Sequence, residues 1–299
     1  VSSDFIFNVI ESGNPGYVDV GHHRRYLRYN GKTFFPVGCN LPWPATDSWT
    51  DPDLFNNIDY TDWLGIYRGI NEDYLDHYCA PRVYDSYKNV INNLADNGAN
   101  YYRSIMYPSA TDIEWEELGN YTDRLHMAQE MDDIIELSKN RGMFVHFNMQ
   151  IHFSFEYHWN AYHKNWCWNS TRQGVPFCYN TLVNSPDPID FFTNTEAKNY
   201  YKQRLRYILA RWGYSTAIAV LEMFSEINAV DVFQEENQND TTHYDLSNNW
   251  QVTRNWQVEM ADYIKSHYNG KIHLLTASYA GPKNKSDDLF TNQNIDIIT

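Results

Sequence analysis

From Phe34 onward the sequence repeats one unit: a short apolar strand, a loop, an amphipathic helix that stops near a glycine, and then another strand. The segments Phe34–Asn40, Asn100–Tyr107, Met143–Ile151, Ala217–Glu226 and Ile272–Ser278 read as strands, and a sixth begins at Asn294. Between them, helical spacing of apolar residues marks Tyr84–Asp96, Asp123–Asn140, Thr195–Trp212 and a stretch near Trp250–His267. Asn97-Gly98 and Gly142 supply the stops for the first two helices. Strands alternating with helices specify a parallel sheet, because parallel neighbours need a long crossover that a helix fills. The sheet is either open and doubly wound or closed as a barrel. No Gly-rich phosphate loop follows the first strand, which argues against a dinucleotide-binding sheet and favours the barrel.

The expected fold is therefore α/β, a TIM (β/α)8-type barrel over residues 34–299. Long loops after the first and third strands consume much of the 299 residues, so about six of eight strands are covered. That count implies a piece of a longer polypeptide, or a barrel completed by another chain. Residues 1–33 carry the turn signals Asn14-Pro15-Gly16 and Asn30-Gly31 and read as a short β-hairpin segment packed on the barrel.

Charge narrows the function. The chain has 23 Lys+Arg against 38 Asp+Glu, a net charge of −15, which repels phosphate backbones and anionic lipid; nucleic-acid partners and membrane insertion are not expected. No apolar run reaches the ~20 residues that a membrane-spanning helix needs. The 24 Tyr, 10 Trp and 15 Phe provide flat apolar faces, many with a polar edge, as a carbohydrate ligand requires, although rings equally build cores. Cys167 with Cys178, and Cys39 with Cys79, could form two disulfides if the protein is secreted; four buried thiols are the alternative. No CxxC or HExxH spacing marks a metal site, and neither a metal nor another cofactor is expected. His152, His158 and His163 form the one histidine group that could be weighed as ligands, and their spacing is not that of a metal motif.

Strand periodicity locates the polar interior. In the third strand Val145, Phe147, Met149 and Ile151 share one face, and His146, Asn148, Gln150 and His152 the other. Parallel strands are usually apolar on both faces, so the polar one is expected to line a lumen opening into a binding site. The fourth strand carries Glu222 and Glu226 four residues apart, hence on one face. Glu222 falls inside the strand, where an unpaired charge is costly, and Arg103 on the second strand is its expected partner. Glu226 falls at the C-terminal end, where barrel enzymes carry their chemistry, and a carboxyl partly desolvated there can serve as a general acid.

These pieces resemble the retaining glycoside hydrolases with (β/α)8 barrels, the clan of family-5 cellulases and β-mannanases. Leu221-Glu222-Met223-Phe224-Ser225-Glu226 is similar to that group's Trp-Glu-Leu-x-Asn-Glu. Phe35-Pro36-Val37-Gly38-Cys39-Asn40, Asn100-Tyr101-Tyr102-Arg103, Leu274-Leu275-Thr276-Ala277-Ser278 and Asn294–Thr299 follow in matching order. The resemblance implies a retaining hydrolase of β-linked glycans, secreted or at the cell surface. It implies Glu226 as acid/base, Arg103 as the residue that positions the nucleophile, and a nucleophilic Glu on a seventh strand beyond residue 299. Where the group has Asn before the acid/base, holding the sugar's 2-hydroxyl, this chain has Ser225. Trp43, Asn148, His152, Trp159, Ser225 and Asn228 are the candidate substrate contacts. The rings of the loop 153–178, among them Phe155, Trp166 and Trp168, could stack on a sugar or pack within the loop. A non-catalytic carbohydrate-binding or scaffold protein is the alternative, motivated by Ser225 and by the missing seventh strand.

Overall fold

The computed structural model describes residues 13–22, 24–41, 87–106, 111–155, 168, 171–172, 175–230, 246–268, 273–279, 289 and 291–297. Five strands form one parallel sheet: β4 (Gly38–Asn40), β5 (Tyr101–Ile105), β6 (Phe144–Asn148), β9 (Ile218–Glu222) and β10 (Leu274–Thr276). Their spatial order, β10-β9-β6-β5-β4, is the chain order, as successive strands of a barrel wall must be. Helices α1 (87–96), α2 (Leu125–Asn140), α5 (Thr195–Trp212) and α6 (Leu246–His267) fill the crossovers. The architecture is a partial (β/α)8-type barrel.

Local chemistry sets the element ends. Asn194 caps α5 by accepting from the backbone N–H groups of Glu196 and Ala197, so this helix begins where its sequence signal begins. Gly98 and Gly142 adopt φ values of +84° and +67° after α1 and α2, turning the chain back toward the next strand. Gly38 is required for a different reason: a Cβ there would lie 1.6 Å from the carbonyl oxygen of Tyr101 on the neighbouring strand.

The main core lies between the sheet and its helices and includes Tyr102, Met131, Ile135, Val145, Phe147, Leu205, Ile208 and Trp212. On α2 the buried face includes Met127 and Ile134, whereas Leu125 is exposed at the helix start. Two short helices, α3 (Cys178–Val183) and α4 (Ile189–Thr193), and the small hairpin β7 (Thr171–Arg172) and β8 (Val175–Pro176) were not anticipated. Phe155 and Trp168 are fully buried and stack with ring centroids 5.7 Å apart, so these two loop rings are core and not a sugar platform. Trp166 lies outside the described residues.

A three-stranded antiparallel sheet, β1 (Asp19–Val20), β2 (Leu27–Tyr29) and β3 (Lys32–Phe34), packs at the other end of the barrel strands. Val18 and Phe34 meet Phe144, Ala219, Val220 and Leu274 in a second apolar cluster. The segment expected as a sixth strand runs beside β10, with the N–H groups of Asp296 and Ile297 donating to the Leu275 carbonyl, but no strand is assigned in 291–297. Cys39 and Cys178 are free thiols, and Cys79 and Cys167 lie outside the described residues. Among the described residues, no helix is long and apolar enough to cross a membrane.

Candidate active site

Alternation along β5 separates two functions. Tyr102 and Ser104 face the helices, where they meet Ser138 and Tyr87 through hydroxyl hydrogen bonds of 2.7 and 3.0 Å. Arg103, between them, faces inward. Register then brings the chemistry together: Arg103 lies opposite His146 on β6, Asn148 opposite Glu222 on β9, and Glu222 opposite Thr276 on β10.

Glu222 is fully buried and held from three sides. Arg103 grips it with a fork, Nε to Oε2 at 2.7 Å and Nη2 to Oε1 at 2.9 Å. His146 Nε2 lies 2.9 Å from Oε2, and the hydroxyl of Ser278 donates to Oε1. Burial pushes the Glu222 carboxyl up, but the adjacent His146 ring and the charged fork of Arg103 outweigh it and hold the pKa at about 2. This carboxylate is an anchor for the lumen. The Arg103–Glu222 pairing was legible from strand spacing; the contributions of His146 and Ser278 were not.

Glu226 is built differently. The chain leaves β9 through Met223 and Phe224, and Ser225 makes an isolated parallel bridge with Ile151. Ser225 is 2% exposed, and its hydroxyl accepts from Arg103 Nη2 at 2.6 Å, so the side chain is turned into the lumen cluster. Glu226 follows with φ 52° and ψ 48°, the left-handed region that a residue with a Cβ rarely adopts. Its backbone N–H donates to Ser278 Oγ at 3.1 Å, and its side chain is 46% exposed. His152 Nδ1 stands 3.7 Å from Glu226 Oε2. Asn228 is nearly buried on the 3-10 turn Ile227–Ala229 that follows. Asn148 is fully buried on β6, and neither polar atom of its amide has a hydrogen-bond partner among the described residues. Trp43 and Trp159 lie outside the described residues.

The structure thus brings Arg103, Asn148, His152, Ser225, Glu226 and Asn228 to strands and turns around one barrel end, and adds His146, Glu222 and Ser278. A half-exposed carboxylate stands above a buried, fully paired one. Among the described residues, no group of three or more His, Cys, Asp or Glu side chains could hold a metal ion; His158 and His163 lie outside them.

A parallel barrel wall with a polar lumen and a carboxylate just past its fourth strand defines the class, a (β/α)8-type fold. No family model and no curated protein sequence matches the chain. Solved structures do. An endo-1,4-β-mannanase from Rhizomucor miehei superposes with a TM-score of 0.60 at 15% identity, covering 95% of this chain and 70% of that one. A glycoside hydrolase family 5 mannosidase from the same organism gives 0.56 at 12%, covering 96% of this chain and 62% of its own. A β-mannanase from the blue mussel Mytilus edulis gives 0.53 at 12%, covering 89% and 64%. The chain therefore spans less than two thirds of the length of the last two.

Proposed function

We propose that the chain is the larger part of a retaining glycoside hydrolase acting on β-linked glycans, secreted or held at the cell surface. The observation that carries this reading is the Glu226 carboxylate, half exposed at the C-terminal end of the fourth barrel strand while the neighbouring Glu222 is sequestered. In the proposed reaction Glu226 enters protonated and gives its proton to the glycosidic oxygen as the C–O bond breaks. A second carboxylate bonds to the anomeric carbon. Glu226, now ionised, takes a proton from water as that water displaces the second carboxylate and releases the sugar.

The retaining geometry needs the second carboxylate about 5–5.5 Å away. Glu222 is a poor candidate, since it is buried and bonded to Arg103 and Ser278. We assign the role to a Glu on a seventh strand outside these 299 residues. Support comes from β4, whose three residues are exposed and whose outer edge has no neighbouring strand among the described residues. Phe35 and Val37 beside it are 62% and 56% exposed, a surface that further barrel strands of the same polypeptide would cover. Arg103 would orient the incoming carboxylate through Nη1, whose contact with Asn40 is long at 3.4 Å. Asn148, His152 and Asn228 are proposed substrate contacts or supports for them. β-1,4-Mannan is the first substrate to test, given the names of the superposing enzymes.

In the full-length protein, Glu226→Gln is expected to lower turnover of such a glycan by about 10²–10⁴-fold, with thermal unfolding and glycan binding unchanged. A Glu226→Gln protein as active as the parent sinks the reading. One observation favours a non-catalytic alternative: Ser225 is 2% exposed and turned toward Arg103, from which its hydroxyl accepts, so it is not presented to a sugar 2-hydroxyl. That alternative predicts calorimetric binding of mannohexaose with no release of reducing ends.

A further inference from the structure

We propose that Ser278 is a positioning residue of this site: its hydroxyl ties the Glu226 backbone to the buried Arg103–Glu222 pair and so fixes where the Glu226 carboxyl meets the glycosidic oxygen. The inference rests on the glycosidase reading and deepens it. Ser278 lies two residues past β10, whose neighbour β9 carries Glu222 and leads into the turn that bears Glu226. A hydroxyl has one proton and two lone pairs. An ionised carboxylate can only accept, so the contact to Glu222 Oε1 consumes the Ser278 proton. The oxygen's lone pairs are then presented to the Glu226 N–H, 3.1 Å away. Backbone bonds lock the two segments further, with Ser278 N–H donating to Phe224 and Ile227 N–H donating to Ser278.

The link matters because of the backbone it holds. Glu226 has φ 52°, a conformation unfavourable for a residue with a Cβ, and it persists only where its surroundings impose it. The Ser278 hydroxyl is a side-chain partner at that peptide, and it joins the turn to a pair that Arg103 clamps with two bonds. Without the hydroxyl, the Glu226 N–H loses this acceptor and the residue is free to relax toward ordinary φ. Its carboxyl would then swing away from the position needed for proton transfer. A 1 Å displacement of a catalytic group can cost about 100-fold.

The test uses full-length protein and two substrates. One is the β-1,4-linked hexasaccharide of mannose or of glucose that the parent cleaves faster. The other is the corresponding disaccharide with a dinitrophenolate leaving group, which departs without a proton. Ser278→Ala is expected to lower kcat/KM for the hexasaccharide about tenfold or more and to change the aryl substrate less than about threefold. Glu226→Gln, run in parallel, should show the same selectivity more strongly, and Ser278→Thr, which restores a hydroxyl, should recover the hexasaccharide rate. A Ser278→Ala protein that matches the parent on the hexasaccharide, or loses equally on both substrates, overturns the inference while Glu226→Gln upholds the parent reading. If Glu226→Gln loses nothing, or the parent cleaves neither sugar, the glycosidase reading falls and this inference with it.

Discussion

Among the described residues two arginines are clamped to buried carboxylates, and they differ in almost everything else. Arg103 and Glu222 sit in the lumen, one cation to one anion, with the Arg103 side chain 20% exposed. Arg204, on α5, is 1% exposed and faces two acids: Nη1 lies 2.7 Å from Asp112 and 3.8 Å from Glu114. Its Nη2 reaches the Met149 carbonyl past the end of β6, while Tyr179 and the Gly119 N–H complete the shell of Glu114. The second cluster fastens a helix, a loop and a strand to one another. The first supports a carboxylate that faces outward. Buried charge therefore does not by itself mark a functional site; what distinguishes the lumen pair is a strained, half-exposed glutamate hung from it through Ser278.

The largest expected effect lies in the sealed cluster. Arg204→Met leaves Asp112 and Glu114 without their cation, and removal of one partner from a buried ion pair costs about 3–5 kcal/mol. Urea unfolding should show that loss, while activity per folded molecule stays at the parent level; a selective loss of activity would put Arg204 in the functional machinery.

Acid separates the two clusters next, with opposite signs. Glu222 has a folded pKa of about 2 against a usual 4.5, so the unfolded chain binds more protons in between. Its stabilisation, about 3 kcal/mol, is complete above pH 4.5 and is lost as pH falls toward 2. Glu114 is the reverse: burial, with the neighbouring charge of Asp112, pushes its carboxyl up more than Arg204, Gly119 and Tyr179 pull it down. The folded chain then holds the extra proton, and this residue's contribution weakens as pH rises through its raised pKa. Replacing Glu222 with Gln should flatten the acid limb of the stability curve below pH 4.5; an unchanged limb would show that Glu222 is not its source.

The smallest expected effect sharpens the lumen side. Arg103→Lys keeps the charge but cannot reproduce a fork that also serves Ser225. Turnover is expected to fall about 10–100-fold with a stability loss near 1–2 kcal/mol. A stability loss as large as that of Arg204→Met, with no selective loss of turnover, would make the two clusters equivalent.

What sequence could convey tracks the length of the signal. Helix α5 was legible to the residue, because eighteen residues of spaced apolar side chains run from an Asn cap to a glycine. The parallel wall and the Arg103–Glu222 pair followed from strand alternation. Helices α3 and α4, of six and five residues, are too short for a helical period to repeat, and their rings read as loop. The Arg204 cluster had one trace, a charged residue three positions after Tyr201 on an apolar helix face. Ser278 had none: a lone serine after a strand becomes meaningful only when folding places two glutamates beside it.

The small sheet at the barrel's base carries a consequence for time rather than for shape. Val18 and Phe34 rest on Phe144, Ala219, Val220 and Leu274, so residues made early in synthesis find their cover among residues made late. Contacts so distant along the chain are slow to form, since the intervening loop must be closed before they repay its entropy. Until β10 is in place, Phe34 and its neighbours have only part of their packing surface. The base is thus a late checkpoint in folding, and a nascent chain stalled before residue 274 should display this apolar segment to whatever chaperone attends it.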